Sequence, residues 1–492
     1  MVFNSFAFLI FFPIVLILYR VLPKRARWVM LLAASYFFYM SWQADLIYLI
    51  LFTTLISYVC ALGIEKAKKQ GIKRLLAITA AVASLGVLFF FKYFNFLAGS
   101  VCSLINLFGA DLRFSLDLML PVGISFYTFQ TLSYVIDVYR GKMKAERHFG
   151  YYALYVSYFP QLVAGPIERP ENLLPQLRAD NHPSPYMTSM GLKMMAVGFF
   201  KKIAVADQIS RVVDLVYSSV SNGGTELFNG FTVLIATALF SVQIYCDFSG
   251  YTDIAIGCAK IMGINLMQNF KDPYSATNIR DFWRRWHISL TSWFTDYVYI
   301  PLGGSRCSRA KHYANIFIVF LLSGIWHGAA WTYVIWGVMH GVYQIIGHIT
   351  SRLRARLWDK LKISQTSATA VLFKRVVTFL LVLIAWVAFR ANSTSDMISL
   401  YKTLFSGWSD LQIGASLSAL SLDWVKIISI VLMIYIVKQL DLHIALRNSP
   451  SGEYKGTFAS GFVYIVLCWT VAVAWLLLLS SGGASSFIYF QF

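Results

Sequence analysis

Charged residues are scarce in this sequence of 492 residues, where Asp, Glu, Lys and Arg make up 13% of the chain. A soluble domain carries about 25% charged residues. With 58% hydrophobic residues and a mean hydropathy of +0.62, the chain is not an ordinary soluble enzyme. No stretch between its apolar runs could hold a separate soluble domain of ~100 residues. The sequence therefore predicts a polytopic membrane protein.

Acidic residues are the scarcer of the two charge types, with 23 Asp and Glu against 42 Lys and Arg, and the net charge is +19. In a soluble chain such an excess would suggest nucleic acid. Here the basic residues lie in short segments between apolar runs, which is the positive-inside pattern, assisted by anionic lipid. We therefore expect membrane lipid, and no nucleic acid, as the partner of these charges.

Several motifs of known enzyme classes are also missing. The six cysteines show no CxxC spacing, which argues against a disulfide framework and against a zinc site. There is no HExxH pair for a metal and no GxSxG elbow for a serine nucleophile. The sequence predicts no metal site and no bound cofactor.

Apolar runs of about 17 to 25 residues, long enough to cross ~30 Å of hydrocarbon as helix, recur along the chain. We expect an all-α fold of about 10 to 12 spans with re-entrant and interfacial helices; the count between residues 149 and 271 stays open. Alternating basic loops predict that both termini are extracytoplasmic. The predicted spans are 4–20, 28–41, 45–63, 75–97, 119–139, 228–246, 252–266, 373–390, 422–438 and 457–480, with a hairpin over 313–349 that turns near 328–332.

One histidine, His327, lies inside such an apolar run, in the sequence SGIWHGAAW. A titratable imidazole is costly in a membrane unless it is hydrogen-bonded or faces a cavity. Two interpretations stay open: a buried histidine satisfied by a neighbouring helix, or a general base, since a neutral imidazole can take a proton from a hydroxyl.

A second histidine, His287, lies in the basic and tryptophan-rich sequence DFWRRWHISLTSW. A continuous helix here would place Trp283 and other aromatic residues around it. Arg284 and Arg285 suit a phosphate-bearing donor on the cytoplasmic side. The alternative is a membrane-surface helix whose arginines contact lipid headgroups.

Other polar or aromatic groups could contribute to a site. Asp247 and Asp253 either form a structural hydrogen-bond network or line a cavity, and His340 is a candidate helix-packing partner. The chain ends in FIYFQF, which either anchors in the aromatic belt or presents the Tyr489 hydroxyl to the site. The remaining histidines fall at predicted loops or helix ends, where solvated roles are expected: His148, His182, His312, His348 and His443.

The blocks WRRWHISLTSWFTDYVYIPLGG and SGIWHGAAW resemble the core of the membrane-bound O-acyltransferase family, and the resemblance extends over nearly the whole chain to members that acylate bacterial envelope polysaccharides. It implies a ring of helices around a central tunnel, as one domain over 1–492 with its catalytic core at 278–341 and an extracytoplasmic tail at 481–492. His327 matches the essential histidine of the family, and His287 matches a second, more variable position.

The resemblance also implies the partners of the reaction. The donor is an acyl thioester in the cytoplasm, acetyl-CoA or a phosphopantetheine-carried acyl group, and the acceptor is an extracytoplasmic polysaccharide. Relatives of this kind work in the bacterial inner membrane with an extracytoplasmic esterase-like acyltransferase partner. Some carry a C-terminal tyrosine that resembles an acyl relay, which here is Tyr489.

Three alternatives remain at this stage. From a different class of protein, a polysaccharide or lipid transporter would do no chemistry and would need polar residues along a continuous path. Within the enzyme class, a lipid O-acyltransferase or a D-alanyl transferase would use the same two histidines on other substrates.

Overall fold

The computed structural model describes residues 1–221, 224, 228–408 and 413–447, and every regular element in these ranges is helical. The predicted all-α class is therefore confirmed for the described residues, whereas the last predicted span and the tail lie outside them. The helices are α1 (Phe6–Val21), α2 (Lys24–Met40), α3 (Ile47–Lys66), α4 (Gln70–Leu88), α5 (Phe94–Asn106), α6 (Ile124–Tyr139), α7 (Phe149–Ser157), α8 (Phe159–Leu162), α9 (Pro170–Arg178), α10 (Pro185–Phe199), α11 (Asp207–Ser221), α12 (Gly230–Ile261), α13 (Ile279–Trp283), α14 (Ile288–Phe294), α15 (Arg309–His327), α16 (Trp331–Ile349), α17 (Ser351–Lys360), α18 (Ala368–Arg390), α19 (Thr394–Leu404), α20 (Ile413–Ala419) and α21 (Trp424–Arg447).

The chain is a multi-pass membrane protein. Five helical stretches among the described residues are long and apolar enough to cross a membrane, and α1 is apolar but shorter. The expected ten to twelve spans refer to the whole chain, so these five stretches of the described residues do not test that number. The five stretches are Ala44–Lys66, Gln70–Asn106, Gly230–Ile261, Ala368–Arg390 and Trp424–Ala445.

Two of the predicted boundaries are wrong. The helix expected over 75–97 continues from α4 through a π-helical turn at Phe89–Tyr93 into α5. The separate segments expected at 228–246 and 252–266 form the single helix α12. The polar residues between them do not interrupt the helix, because Asp247 pairs with Lys202. Gly250 allows close packing at this point, since an added Cβ would lie 2.7 Å from the Gly198 carbonyl oxygen.

The chain divides into two compact units. Of the described residues, the first unit contains Met1–Ala196 and Tyr251–Met267, and the second contains Val197–Gly250 and those from Gln268 onward. In the first unit Glu168 is fully buried and accepts hydrogen bonds from the Met267 N–H and from Asn172 Nδ2, the latter at 2.7 Å. Burial raises the pKa of this carboxyl to about 7, and its hydrogen bonds tie α9 to the segment after α12.

Two buried lysines organise the second unit. A π-helical stretch, Phe200–Ala206, contains both of them, and such irregular turns are frequent at special positions in helices. The Lys202 ammonium lies 2.6 Å from Asp247 and 2.9 Å from Asp207, and the Lys201 ammonium lies 2.5 Å from Asp441. Because buried charges persist only when paired, this network supports the structural interpretation of Asp247.

The predicted hairpin is confirmed in α15 and α16, with the reversal at residues 328–330. The two helices pack through glycines: a Cβ at Gly337 would lie 2.4 Å from the Phe320 carbonyl oxygen, and one at Gly324 would lie 2.4 Å from the Tyr333 carbonyl oxygen. Backbones can approach this closely only where side chains are absent. The hairpin places His327 at the last position of α15.

Candidate active site

His327 lies in an aromatic enclosure within the second unit and is 3% exposed. Its ring centroid is 4.9 Å from that of Trp336, 5.0 Å from that of Trp326 and 5.3 Å from that of Phe389. These residues come from both arms of the hairpin and from α18. Aromatic rings on three sides leave this imidazole little contact with solvent.

His287 is fully buried, and the backbone around it differs from the expected continuous helix. Helix α13 ends at Trp283 and α14 begins at Ile288, with His287 in the left-handed region at φ 46° and ψ 54°. Two backbone hydrogen bonds hold this break: the Ile288 N–H donates to the Asn269 carbonyl, and the Lys271 N–H donates to the Arg285 carbonyl, both at 2.9 Å. A left-handed non-glycine residue is costly and persists where its surroundings determine it.

The two predicted catalytic histidines lie side by side. Their ring centroids are 6.4 Å apart, and both belong to the second unit. On its other sides His287 contacts Phe248 of α12 at 4.7 Å and Trp326 at 5.9 Å, measured between ring centroids. Burial lowers the pKa of His287 to about 3, so this imidazole is neutral at physiological pH. Residues separated by forty positions thus form one buried cluster of titratable side chains.

Asn269 is the polar residue of this cluster that sequence reasoning missed. Its side-chain oxygen Oδ1 lies 3.2 Å from His287 Nδ1 and accepts hydrogen bonds from the Ser289 N–H at 3.2 Å and the Ser289 hydroxyl at 2.8 Å. Asn269 is itself fully buried. The sequence carried no distinctive signal, since Asn269 is one of two asparagines in the mixed segment NLMQNF and its contact depends on how an irregular segment folds back.

His340 packs behind the pair, as expected for a helix-packing partner. It is fully buried, and its Nδ1 accepts a hydrogen bond from Trp283 Nε1 at 3.2 Å. Trp336 lies between the two histidines of α16 and α15, with its ring 5.0 Å from His340 and 4.9 Å from His327. The hydrogen bond to Trp283 connects α16 to the end of α13, four residues before His287.

The two arginines before His287 differ in their surroundings. Arg284 is exposed, whereas Arg285 is half-buried and pairs with Asp281 at 2.9 Å. Their role in donor binding stays a prediction, and Arg284 is the better candidate because its side chain is more accessible. Tyr489 lies outside the described residues.

The remaining histidines lie at the surface or near the ends of helices, with His443 partly buried near the end of α21. His148 caps the start of α7, and His182 is exposed beside Asp180. His312 and His348 lie within 3.2 Å of tyrosine hydroxyls, at 3.0 Å and 3.2 Å respectively. These four contacts differ from the buried aromatic surroundings of His287 and His327.

Beside the neutral imidazole of His287, the imidazole of His327 is placed to take a proton from a hydroxyl and hand it on. The dry aromatic walls strengthen every polar interaction inside and keep water from competing with another nucleophile. Such a site suits the transfer of an acyl group to a hydroxyl better than hydrolysis.

Comparison with known proteins points to the same chemistry. Residues 143–391 match the sequence profile of MBOAT, the membrane-bound O-acyltransferase family, and this range includes both histidines and Asn269. The chain is 36% identical, over the whole length of both proteins, to the Azotobacter vinelandii protein named "Probable alginate O-acetylase AlgI".

Two further relatives carry different names. The peptidoglycan O-acetyltransferase of Helicobacter pylori is 32% identical over 82% of this chain and 79% of its own length. The teichoic acid D-alanyltransferase of Bacillus subtilis is 27% identical over 45% of this chain and 57% of its own length.

Proposed function

The chain belongs to the membrane-bound O-acyltransferase family, and from this membership we propose that it transfers an acetyl group from a cytoplasmic thioester to an extracytoplasmic polysaccharide of the bacterial envelope. The protein is an O-acyltransferase. One observation carries the proposal to a mechanism: His287 and His327 lie with ring centroids 6.4 Å apart in a buried aromatic cluster.

His327 is the proposed general base. As the acceptor oxygen bonds to the thioester carbon, its hydroxyl proton passes to the imidazole of His327. The carbon–sulfur bond then breaks, and the same proton leaves with the sulfur as a free thiol. His287 lies next to this step and either positions the thioester or helps to stabilise the oxyanion.

Access from both membrane faces is part of the proposal. The thioester carrier stays in the cytoplasm while its acetyl group must reach the outside, so we propose a central tunnel between helices that leads to the two histidines. The acceptor then meets the donor inside the membrane, and no activated acetyl group has to be released. Such an enzyme belongs in the inner membrane.

An acetyl group fits the comparisons better than D-alanine. The relatives that match most of this chain are named as acetylating alginate and peptidoglycan, and the D-alanyltransferase matches less than half of it. Among polysaccharides, alginate is the first candidate because that relative matches over the full length. A transporter without chemistry is disfavoured by the family assignment and by the buried histidine pair.

The test of the proposed function is mass spectrometry of envelope polysaccharide from a deletion strain and from the same strain carrying the chain. We expect O-acetyl esters to disappear on deletion and to return with the chain. Unchanged acetylation on deletion would refute the proposed activity, and loss of a different acyl group would correct the acyl identity.

Replacing Arg284 with glutamine is expected to raise KM for acetyl-CoA or a carrier thioester by about tenfold, with kcat little changed. A guanidinium binds the phosphate of such a donor by charge-assisted hydrogen bonds, and that binding is the same in the ground state and transition state. Steady-state kinetics of purified protein measure both constants. Arg352→Gln, at an exposed arginine of α17, is the control and should leave KM unchanged. An unchanged KM for Arg284→Gln would contradict donor binding and favour the alternative that Arg284 contacts lipid headgroups.

We also propose that Tyr489 accepts the acetyl group and passes it to an extracytoplasmic esterase-like partner. A phenol with a pKa near 10 forms a reactive ester. Tyr489→Phe removes the accepting oxygen and keeps the aromatic ring, so we expect thioester cleavage and polysaccharide acetylation to fall together to background. Phe490→Leu, which changes the neighbouring ring and removes no hydroxyl, is the control. Full acetylation in cells carrying Tyr489→Phe would show that Tyr489 is not an acyl relay and would favour the alternative that the tail is a membrane anchor.

A further inference from the structure

The contacts of Asn269 determine which nitrogen of His287 carries the proton. One atom of the Asn269 amide faces the backbone N–H of Ser289 at 3.2 Å. A backbone N–H can only donate, so that atom must be the amide oxygen and not its NH₂ group. The ambiguity that usually attends asparagine orientation is therefore removed by the main chain.

The same oxygen lies 3.2 Å from His287 Nδ1. An amide oxygen only accepts, so Nδ1 must carry the hydrogen of that contact. In a neutral imidazole the other nitrogen, Nε2, then holds the lone pair. The neighbouring rings of Phe248 and Trp326 disfavour the charged form, in which both nitrogens would be protonated.

We infer that Asn269 is a positioning residue of the proposed acyl transfer, and that it holds His287 in the tautomer whose Nε2 accepts a hydrogen bond. This inference rests on the proposed function and narrows the role of His287. An oxyanion needs a hydrogen-bond donor, and the neutral tautomer with a proton on Nδ1 offers none at Nε2. His287 therefore enters the reaction as an acceptor for an O–H or N–H group.

In this arrangement Asn269 is the orienting group and His287 is the imidazole that it orients. An orienting acceptor at one ring nitrogen fixes both the tautomer and the direction of the other nitrogen. At metal-binding histidines, loss of such a partner costs about 10- to 100-fold. Here the orienting oxygen is itself held by two donors of Ser289. The titratable group that faces His287 from α15 is His327, whose ring is 6.4 Å away.

Two substitutions of Asn269 distinguish the effect of its hydrogen-bond acceptor from the effect of its side-chain volume. Asn269→Asp keeps an oxygen at the Nδ1 position, and Asn269→Leu keeps the volume without any acceptor. With purified full-length protein and acetyl-CoA as donor, we expect Asn269→Leu to lower kcat by about 10- to 100-fold with KM little changed. Asn269→Asp retains most of kcat at neutral to alkaline pH.

The aspartate variant adds a readout that a merely structural role would not move. A carboxylate beside Nδ1 stabilises the imidazolium, so it raises the pKa of His287, and the three donors around it favour the ionised carboxylate. A protonated Nε2 cannot accept a hydrogen bond, so the activity of Asn269→Asp should fall at acid pH. The acid limb of its kcat profile should lie roughly 1 to 3 pH units above that of the wild type.

Controls address folding and the dependence on the proposed function. Asn265→Asp changes an exposed asparagine and should leave both kcat and the pH profile unchanged. Equal kcat values and pH profiles for wild type, Asn269→Leu and Asn269→Asp would overturn the inference. Nitrogen-15 NMR of His287 tests the tautomer without any activity: a protonated Nδ1 supports the inference even if acetyl transfer is absent, and a protonated Nε2 refutes it.

Discussion

Polysaccharide acetylation is expected to be lost when His327 is replaced by alanine or by glutamine, with the protein present in the membrane at normal abundance. Neither side chain can take a proton from the attacking hydroxyl, and a positioned general base contributes about 10² to 10⁴ in rate. Glutamine fills more of the space between Trp336 and Phe389, so it limits the cavity that alanine leaves. Acetyl content of envelope polysaccharide in complemented deletion cells measures the effect.

The matched control is His182→Ala, which removes an exposed imidazole from a loop of the first unit. Acetylation should stay at the wild-type level, because this histidine is solvated and far along the chain from the aromatic cluster. If cells with His327→Gln retain acetylation while the variant is present at normal abundance, the assignment of His327 as general base is wrong. Low abundance of both His327 variants would instead indicate a structural role, which thermal stability of the purified protein would measure.

Alanine at Gly337 is expected to destabilise the protein, whereas alanine at Gly347 on the same helix should stabilise it. The added Cβ at Gly337 would lie 2.4 Å from the Phe320 carbonyl oxygen. At Gly347, no atom of the described residues lies within 4 Å of an added Cβ. Overpacking against backbone costs about 1 to 3 kcal/mol. At Gly347 the higher helix propensity of alanine contributes up to about 1 kcal/mol.

The midpoint of thermal unfolding in detergent measures both glycine variants, and their shifts should have opposite signs. Gly337→Ala should also lower acetylation, because separating α15 from α16 moves His327 away from the Trp336 ring that it contacts. Equal midpoints for the two variants would show that the helices can separate at little cost. The close packing of the hairpin would then have no part in holding the site.

Several features of this molecule could be predicted because they depend on composition and on local pattern. The apolar run over 313–349 is too long for one span, so a hairpin with a turn near 328–332 follows from helix rise alone. An imidazole inside such a run is costly anywhere in a membrane, which singles out His327 without knowledge of its neighbours.

The predictions from sequence were wrong where a contact with a residue distant in the chain outweighs the local pattern. The acid Asp247 indicates a break in an apolar helix when considered alone, but the Lys202 ammonium at 2.6 Å neutralises it and α12 continues. Trp283 and His287 are four residues apart and Trp286 and Trp293 are seven apart, which fits a helix. The backbone hydrogen bonds from Ile288 to Asn269 and from Lys271 to Arg285 instead hold the chain in a break at His287. Tertiary contacts outweigh local propensity in both cases.

The sequence by itself determined the class of the protein, the hairpin and the two histidines, because hydrophobicity, helix rise and the cost of a buried imidazole are properties of short segments. Only the tertiary structure decided that the two imidazoles lie 6.4 Å apart, that Phe248 and Phe389 enclose them, and that Asn269 orients His287. The reason is physical: a hydrogen bond between an irregular loop and a left-handed residue depends on distances across the fold, and no periodicity in the chain encodes them.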